Sequence, residues 1–345
     1  METTFNCPCC SDNNWDMVSD YHYHNNSKLS GAPQNSLGAN FLSIRLKILF
    51  DVWFPNKKEV VLTSVYCNTC GFKCYSPRPN ETDLQAKYQY LSERENIGAL
   101  ANPTRRALRL DRRREVFLSK VIAKHHDLKS QKVLDVGGGD GRLLRPFLKK
   151  ECYCSIVDFN PAPLPEIDRL GSTINDIKTK ELFNIIICSH VLEHVTEPGK
   201  LLRDIRSRLS DNGVVYIEVP IQIWKGIPIK QDPVTHINFF TVESLRNALL
   251  LNGLCPLSIK YKFSPYDGKY KRVVWAVASA TEIKTVANNV SSRDTKKLLH
   301  PTLLLKLQRS FENFCLTWIF NLPLTIRKKI HFFWQIRAWL RPARG

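Results

Sequence analysis

Hydrophobic and polar positions change their spacing at about residue 131. Beyond it, short apolar runs are separated by segments with helical spacing and by turn residues. The apolar runs predict strands at 132–136, 152–157, 183–187, 214–219 and 273–279, and the helical segments lie at 141–150, 196–209 and 241–251. Strands that alternate with helices indicate a parallel sheet with both faces covered. We therefore predict an α/β fold with a doubly wound, mostly parallel sheet.

Composition and turn residues divide the rest of the chain. Residues 1–80 are rich in Asn, Ser, Cys and aromatic residues, contain short β-like runs and end at the Ser-Pro-Arg-Pro segment 76–79. Helical spacing with few breakers follows between 111 and 124. We predict four parts: a cysteine-rich module at 1–80, a helical linker with substrate-side helices at 81–130, the α/β domain at 131–280 and C-terminal helices at 281–345.

Charge and composition narrow the class of protein. The chain has 345 residues, of which 43% are hydrophobic and 24% are charged, values that exclude a wholly disordered or fibrous protein. Half of the net charge of +18 lies in residues 281–345, which hold 12 Lys+Arg and 3 Asp+Glu. A basic tail on a nearly balanced body argues against nucleic acid as the main partner. Without a secretory signal or a long apolar run, we expect a cytoplasmic protein with reduced thiols.

A glycine-rich turn follows the first strand of the predicted α/β domain. Gly137, Gly139 and Gly141 recur at a spacing of two. Glycine permits a positive φ and lets a ligand approach the main chain closely. This spacing lacks the third glycine of the dinucleotide fingerprint and the Gly-Lys-Ser/Thr of a phosphate-binding loop. Because Asp135 would repel a phosphate and suits an amine, the turn predicts a ligand that carries a positive charge.

The Asp-x-Gly-x-Gly-x-Gly pattern resembles motif I of the class I S-adenosylmethionine-dependent methyltransferases. Asp158 ends the next strand, 21 residues after Gly137, where the acidic residue of that family binds both ribose hydroxyls. Residues 183–198 resemble the family's fourth strand and the loop after it, although Asn184 stands where the family more often has Asp. The resemblance covers about 131–280 and implies a Rossmann-like sheet of seven strands. It also implies S-adenosylmethionine as cofactor, bound by Asp135, Gly137, Gly139, Gly141, Asp158, Ser189 and, at the adenine amino group, Asp176.

The segment after the fourth strand also matches another motif. His190-Val-Leu-Glu193-His194 has the H-x-x-E-H spacing of an inverted zinc-protease site. That motif needs a long helix, whereas here about one turn separates a buried strand from the next helix start. In the resembled family this stretch lines the cofactor pocket. We therefore disfavour a protease and take His194 as a candidate catalytic residue.

A further histidine follows the fifth strand. His236 lies in the segment 232–241, and loops at the carboxyl ends of parallel strands form the active face of doubly wound sheets. The segment resembles the histidine-containing loop of sugar and small-molecule methyltransferases, with Thr235 in place of the acidic residue. We predict that His236 is the general base, with a structural hydrogen bond and a substrate contact as the alternatives.

Six of the eleven cysteines lie in the first 74 residues. Two C-x-x-C knuckles, one at 7–10 and one at 67–70, can each supply two thiolates to one tetrahedral Zn²⁺. The 56 residues between them make 25–58 an insertion and leave alternative ligands, namely Cys9, Cys74, His22 and His24. The module resembles the N-terminal zinc-binding domain that precedes some methyltransferases acting on sugars and natural products. The prediction is one structural Zn²⁺ held by Cys7, Cys10, Cys67 and Cys70.

The C-terminal segment combines an apolar stripe with basic residues. The stripe has helical spacing and consists of Phe311, Phe314, Cys315, Trp318, Ile319 and Leu322. Beyond Pro323, basic residues interleave with aromatic ones. Such a segment suits an anionic membrane interface. A helix docked on the catalytic domain and a contact with nucleic acid are the alternatives.

The sequence therefore predicts an enzyme that transfers a methyl group from S-adenosylmethionine to a small polar acceptor. A sugar, a nucleotide-sugar or a related biosynthetic intermediate is expected, because the cysteine module and the His236 loop resemble those of enzymes with such substrates. An RNA methyltransferase and a non-catalytic scaffold that binds S-adenosylmethionine are the alternatives. We expect the protein in the cytoplasm, with peripheral contact to the inner face of a membrane through the tail.

Overall fold

A computed structural model of the chain describes residues 5–25, 44–95, 105–159, 163–178, 180–223, 233–266, 269–280 and 290–300, with 303–304 and 306–307. Met1–Leu299 form one compact unit, and His300–Gly345 form a second. The apolar stripe and the basic residues predicted in the tail lie outside the described residues. Within the described part of the chain, no helix is long and apolar enough to cross a membrane. The predicted boundaries at 80 and 130 stay predictions.

The elements follow one another in chain order, with antiparallel strands first and alternating strands and helices afterwards. The N-terminal part contains β1 (Trp15–His24), a π-helical segment (Ile48–Trp53), β2 (Glu59–Cys67), β3 (Lys73–Ser76), α1 (Glu81–Glu95) and α2 (Arg105–Ile122). The remainder contains β4 (Lys132–Val136), α3 (Arg145–Leu148), β5 (Tyr153–Val157), β6 (Ile167–Gly171), β7 (Phe183–Ser189), α4 (Pro198–Arg208), β8 (Leu209–Pro220), β9 (Asn238–Phe239), α5 (Val242–Leu251), β10 (Leu254–Tyr266), β11 (Lys269–Ala280) and α6 (Arg293–Leu299).

A seven-stranded sheet forms the centre of the first unit. Its strand order is β10-β11-β8-β7-β4-β5-β6. The strands from β8 to β6 are parallel, whereas β11 is antiparallel to both β8 and β10. This architecture confirms the predicted Rossmann-like, mostly parallel sheet of seven strands. The chain direction across the sheet reverses between β4 and β7, which places a ligand crevice at the carboxyl ends of these two strands.

The apolar run of β7 forms a strand because both of its faces are covered. Ile185 and Ile187 pack with α2 residues on one face, whereas Ile186 and Cys188 pack with residues of α4 and α5 on the other. All four side chains are fully buried. Successive side chains in a strand point to opposite faces, so an uninterrupted apolar run is expected for a strand inside a parallel sheet. Each such side chain contributes about 1.5–3 kcal/mol when buried, and together they fix the height of the loop after β7.

A second, four-stranded sheet has the order β1-β2-β3-β9 and is antiparallel throughout. Its first three strands come from the cysteine-rich segment. Its fourth, β9, comes from the loop between β8 and α5, where Cys74 pairs with Asn238 and Lys73 pairs with Phe239. The N-terminal module is therefore joined to the α/β part through main-chain hydrogen bonds.

Some predicted elements differ from the structure. The helix expected at 141–150 is a 3-10 turn at Arg142–Leu144 followed by the four-residue α3. The long strand β10 was not predicted, because Lys260 and Lys262 alternate with its apolar residues and the strand is paired on one side only. By contrast, the Thr241 cap of α5 is confirmed, since its side chain accepts a hydrogen bond from the Ser244 backbone N–H.

Candidate functional site

The glycine-rich turn has the backbone conformation for which its glycines are needed. Gly137, Gly139 and Gly141 have φ values of 69°, 60° and 79°, which side chains other than glycine rarely adopt. A Cβ on Gly137 would lie 2.5 Å from Val191 Cγ2, whereas a Cβ on Gly139 would meet nothing within 4 Å. The turn thus packs against the loop after β7 at one point and borders open space at another.

Two carboxylates flank this turn. Asp135, at the end of β4, is 1% exposed, and its Oδ2 has no hydrogen-bond partner among the described residues. Burial raises the pKa of Asp135 to about 8. Asp158 follows β5, and its Oδ2 accepts a hydrogen bond from the Gly139 N–H at 2.9 Å. A buried carboxylate with an unpartnered oxygen next to an open glycine turn suits a ligand with a cationic amine, as the sequence predicted.

The other two predicted cofactor residues have partners within the protein. Asp176 Oδ2 accepts hydrogen bonds from the backbone N–H groups of Ser172 and Thr173, both at 2.8 Å. These bonds lower the pKa of Asp176. Ser189, at the end of β7, accepts from Arg114 Nη2 at 2.5 Å. Both residues lie at carboxyl ends of the parallel strands or in the loops that follow them, and their contacts with the cofactor stay predictions.

The H-x-x-E-H segment forms a turn. His190 has a φ of 60°, and its Nδ1 lies 3.0 Å from Glu193 Oε1 while its Nε2 lies 3.3 Å from Glu218 Oε1. Burial opposes a charge on His190, but hydrogen bonds to the two carboxylates raise its pKa. Because His190 is held between carboxylates and the segment is not helical, the structure agrees with rejecting the protease motif.

Glu193, His194 and His236 meet at the carboxyl ends of β7 and β8. One possible ligand atom from each residue lies within 4.8 Å of the others. His194 Nδ1 lies 2.7 Å from Thr235 O, and His236 Nδ1 lies 2.6 Å from Gln222 Oε1. The two imidazole rings are 4.8 Å apart, edge to face. The structure thus brings together both predicted catalytic histidines.

Electrostatics keep this cluster anionic on one side. Burial opposes the charge on Glu193, yet the hydrogen bond from His190 lowers the Glu193 pKa to about 2. Burial lowers the pKa of His194. Glu193 was considered from the sequence only as the base of the rejected protease motif, and Gln222 was not considered. The signal for Gln222 was its place two residues beyond the end of β8.

A buried ionic cluster lies beneath this site. Glu218 is fully buried in β8 and pairs with Arg114 Nε at 3.1 Å and with Lys262 Nζ at 3.9 Å. The Tyr216 hydroxyl donates to its Oε2 at 2.7 Å. Burial opposes the charge, but the hydrogen bond with His190 and the charge of Arg114 lower the pKa of Glu218. Sequence reasoning missed this cluster, although a Glu inside the apolar run of β8 was a readable signal.

Helix α1 lies over the same face. Lys87 is 2% exposed, and its Nζ donates to Val234 O at 3.3 Å, in the loop that carries His236. The neighbouring Tyr88 ring stacks on Phe159 with centroids 5.7 Å apart. Burial, together with the charges of Glu193 and Asp158, raises the pKa of Tyr88 to about 12. Tyr88 therefore lies near both the glycine-turn half and the histidine half of the site.

The four predicted zinc ligands form a second cluster. Cys7 Sγ lies 3.6 Å from Cys70 Sγ, and Cys10 Sγ lies 3.5 Å from Cys67 Sγ. Thiolates on a tetrahedral Zn²⁺ with bonds of ~2.3 Å lie roughly 3.8 Å apart, whereas a disulfide would require about 2.05 Å. The alternative ligand His22 pairs with Glu59 instead. This geometry is compatible with zinc at the four predicted cysteines.

Comparison with known proteins places the site in context. Residues 104–259 match the family model described as "Methyltransferase domain". The curated relatives include the ubiquinone biosynthesis O-methyltransferases of Histophilus somni, 32% identical over 32% of this chain and 53% of the relative, and of Rickettsia canadensis, 24% identical over 30% and 49%. The chain thus spans about half the length of the curated relatives that it matches.

Solved structures with a similar fold include two methyltransferases with bound S-adenosylhomocysteine. One is the 1,6-didemethyltoxoflavin-N1-methyltransferase of Burkholderia thailandensis, with a TM-score of 0.45 and 17% identity over 63% of this chain and 96% of that one. The other is the magnesium protoporphyrin IX methyltransferase of Synechocystis PCC 6803, with a TM-score of 0.41 and 15% identity over 55% and 93%.

Proposed function

Because residues 104–259 are a methyltransferase domain of the class I S-adenosylmethionine-dependent family, we propose that the chain transfers a methyl group from S-adenosylmethionine to a small polar acceptor. One observation carries this proposal. The open glycine turn with Asp135 and the cluster of Glu193, His194 and His236 share one edge of the sheet, and Val191 connects them by its contact with Gly137. One half of the site suits the cofactor, and the other half suits the acceptor.

S-adenosylmethionine supplies an electrophilic methyl group when it is bound. Asp135 pairs with the amino group of its amino-acid part, and Asp158 holds its ribose hydroxyls. Gly139 allows close approach of the main chain, since a side-chain atom there would occupy the open space. The contribution of these residues is to hold donor and acceptor in line, which can supply a large share of the rate enhancement in a displacement reaction.

His194 and His236 form the acceptor side, where an acceptor hydroxyl loses its proton. Their rings are held by Thr235 and Gln222, and such fixed imidazoles suit proton transfer near neutral pH. The curated relatives are named O-methyltransferases, which supports an oxygen as the methyl acceptor. A sugar or a nucleotide-sugar is the finer proposal, and it rests on the sequence resemblance of the His236 loop and the cysteine module.

Calorimetric titration with S-adenosylhomocysteine tests the cofactor half. Asp158→Ala should weaken binding roughly 10- to 150-fold, since a hydrogen bond to a charged group contributes ~1.5–3 kcal/mol. The matched control is Asp168→Ala, which removes an exposed carboxylate from β6 and should leave the affinity unchanged. Equal binding by both variants would contradict the assignment of Asp158.

Transfer of a radiolabelled methyl group tests the reaction. Labelled S-adenosylmethionine is incubated with the protein and with separated fractions of a cell extract. Label is expected in a small-molecule fraction and not in RNA. Label in RNA would favour the rival acceptor, and binding of S-adenosylhomocysteine without transfer to any fraction would favour a non-catalytic scaffold.

We also infer a structural Zn²⁺ at Cys7, Cys10, Cys67 and Cys70. The sulfur distances of 3.5 and 3.6 Å support it, and a site with four protein ligands leaves no open position for chemistry. Native mass spectrometry should show that Cys67→Ser with Cys70→Ser loses one Zn²⁺ per chain. Contact of residues 281–345 with an anionic membrane stays a proposal from the sequence alone.

A further inference from the structure

We propose that Glu193, His194 and His236 bind one divalent metal ion on the acceptor side of the site. This inference rests on the proposed function and deepens it, because it assigns the group that would hold the acceptor oxygen. One ligand atom from each residue lies within 4.8 Å of the other two. Ligands at ~2.1 Å from a tetrahedral ion lie roughly 3.4 Å apart, so side-chain movements of about 1 Å bring all three into coordination.

Hydrogen bonds prepare both histidines as ligands. Thr235 O accepts from His194 Nδ1, and Gln222 Oε1 accepts from His236 Nδ1. Each bond places the proton on Nδ1 and the lone pair on Nε2. Histidines that ligate metals are oriented in this way, with the second ring nitrogen donating to a carbonyl or carboxylate.

The third ligand has an unpartnered oxygen. Glu193 is 1% exposed, and its Oε1 contacts His190 Nδ1 while its Oε2 has no hydrogen-bond partner among the described residues. A buried carboxylate oxygen without a partner is costly, and coordination to a cation would satisfy it. Lys87 lies in the same region and opposes a cation, but its ammonium is directed to Val234 O.

The donor set indicates the kind of ion and its role. Two imidazoles and one carboxylate favour Zn²⁺ or another first-row ion over Mg²⁺ and Ca²⁺, and three protein ligands leave an open position. An acceptor hydroxyl bound there has a lowered pKa, so its proton leaves to water. Its oxygen then bonds to the methyl carbon as the carbon–sulfur bond breaks, which yields the methyl ether and S-adenosylhomocysteine. In this state His236 is a ligand and not a free general base.

Co²⁺ titration of the full chain, with Zn²⁺ already at the cysteine cluster, tests the site. Calorimetry should show one equivalent of Co²⁺ bound, and the visible spectrum should show cobalt bands without thiolate charge transfer. His194→Ala and His236→Ala should each weaken Co²⁺ binding by at least about tenfold, and Gln222→Ala by roughly 10- to 100-fold. The control is His125→Ala, an exposed histidine after α2, which should bind Co²⁺ as the wild type does.

Binding of S-adenosylhomocysteine confirms that each variant is folded, and the Gln222 variant decides the question if a histidine variant is not. The proposal is overturned if no Co²⁺ binds, or if these variants bind it as tightly as the wild type. It is also overturned, with the proposed function intact, if methyl transfer proceeds at full rate with Zn²⁺ at the cysteine cluster alone. Co²⁺ binding without transfer to any acceptor would leave the metal site standing and contradict the proposed function.

Discussion

Replacement of Glu218 by Gln should destabilise the protein far more than the loss of one hydrogen bond. Glu218 is fully buried and balances the charges of Arg114 and Lys262 at 3.1 and 3.9 Å. Its oxygens also accept from the hydroxyls of Tyr216 and Ser264. Gln has nearly the same volume, so packing is preserved. The amide removes the negative charge, and its NH₂ group faces donors where an oxygen accepted before.

The magnitude follows from the burial of these groups. Breaking a buried ion pair costs about 3–5 kcal/mol, because the remaining charge stays in a medium of low polarisability. That is a large part of a typical stability of ~5–15 kcal/mol. At ~2–4 °C per kcal/mol for a chain of this size class, we expect Tm to fall by roughly 6–20 °C.

Thermal unfolding followed by circular dichroism is the assay, and Glu181→Gln is the control. Glu181 pairs with Lys132 at 2.7 Å, but the two side chains are 31% and 50% exposed, so its loss should cost at most about 1 kcal/mol. Because the pKa of Glu218 is lowered in the folded state, its contribution is complete above its ordinary pKa of 4.5 and declines below it. The difference between wild type and E218Q should therefore shrink in acid. Equal Tm values for E218Q and E181Q at pH 7 would refute the reasoning.

Two further predictions concern the glycine turn and the cysteine cluster. Gly137→Ala should weaken S-adenosylhomocysteine binding at least about tenfold by calorimetry, because left-handed backbone costs ~1–2 kcal/mol and the new Cβ would lie 2.5 Å from Val191 Cγ2; unchanged affinity would contradict it. Cys67→Ser with Cys70→Ser should lower Tm together with the loss of Zn²⁺, since structural zinc contributes folding energy. Loss of zinc without a change in Tm would contradict the structural role.

The parts of the fold with a strong local pattern could be predicted from the sequence. The uninterrupted apolar run of β7 and the glycine turn after β4 each allow few conformations, and both were found where expected. Strand β10 could not be identified in this way. Its lysines are accommodated by tertiary partners, since Lys262 approaches Glu218 and lies over the Phe117 ring, and such partners are not visible in local spacing.

The candidate site shows the same division. Asp135, Asp158 and the glycines lie within two strand ends, so a motif could name them. The meeting of His194 with His236 depends on the parallel order of β7 and β8, and their spacing in the chain does not reveal it. The cysteine cluster is intermediate: each knuckle is a local motif, but which cysteines converge depends on pairing of β1 with β2, where Trp15 lies opposite Cys67.

The cysteine module and the histidine loops are mechanically connected. Arg78, just after β3, donates to Thr196 O and to Asn238 Oδ1, both at 2.6 Å. Asn238 in turn donates to Leu192 O and Val195 O, at 2.6 and 2.7 Å. These bonds link the segment that follows the second knuckle to the turn that carries His194 and to the strand that follows His236. Since β9 also pairs with β3, an ion that rigidifies the knuckles holds the two catalytic loops in register, although no cysteine approaches the cofactor turn through its motif alone. A structural metal far from the chemistry therefore has a physical reason to be kept in this protein.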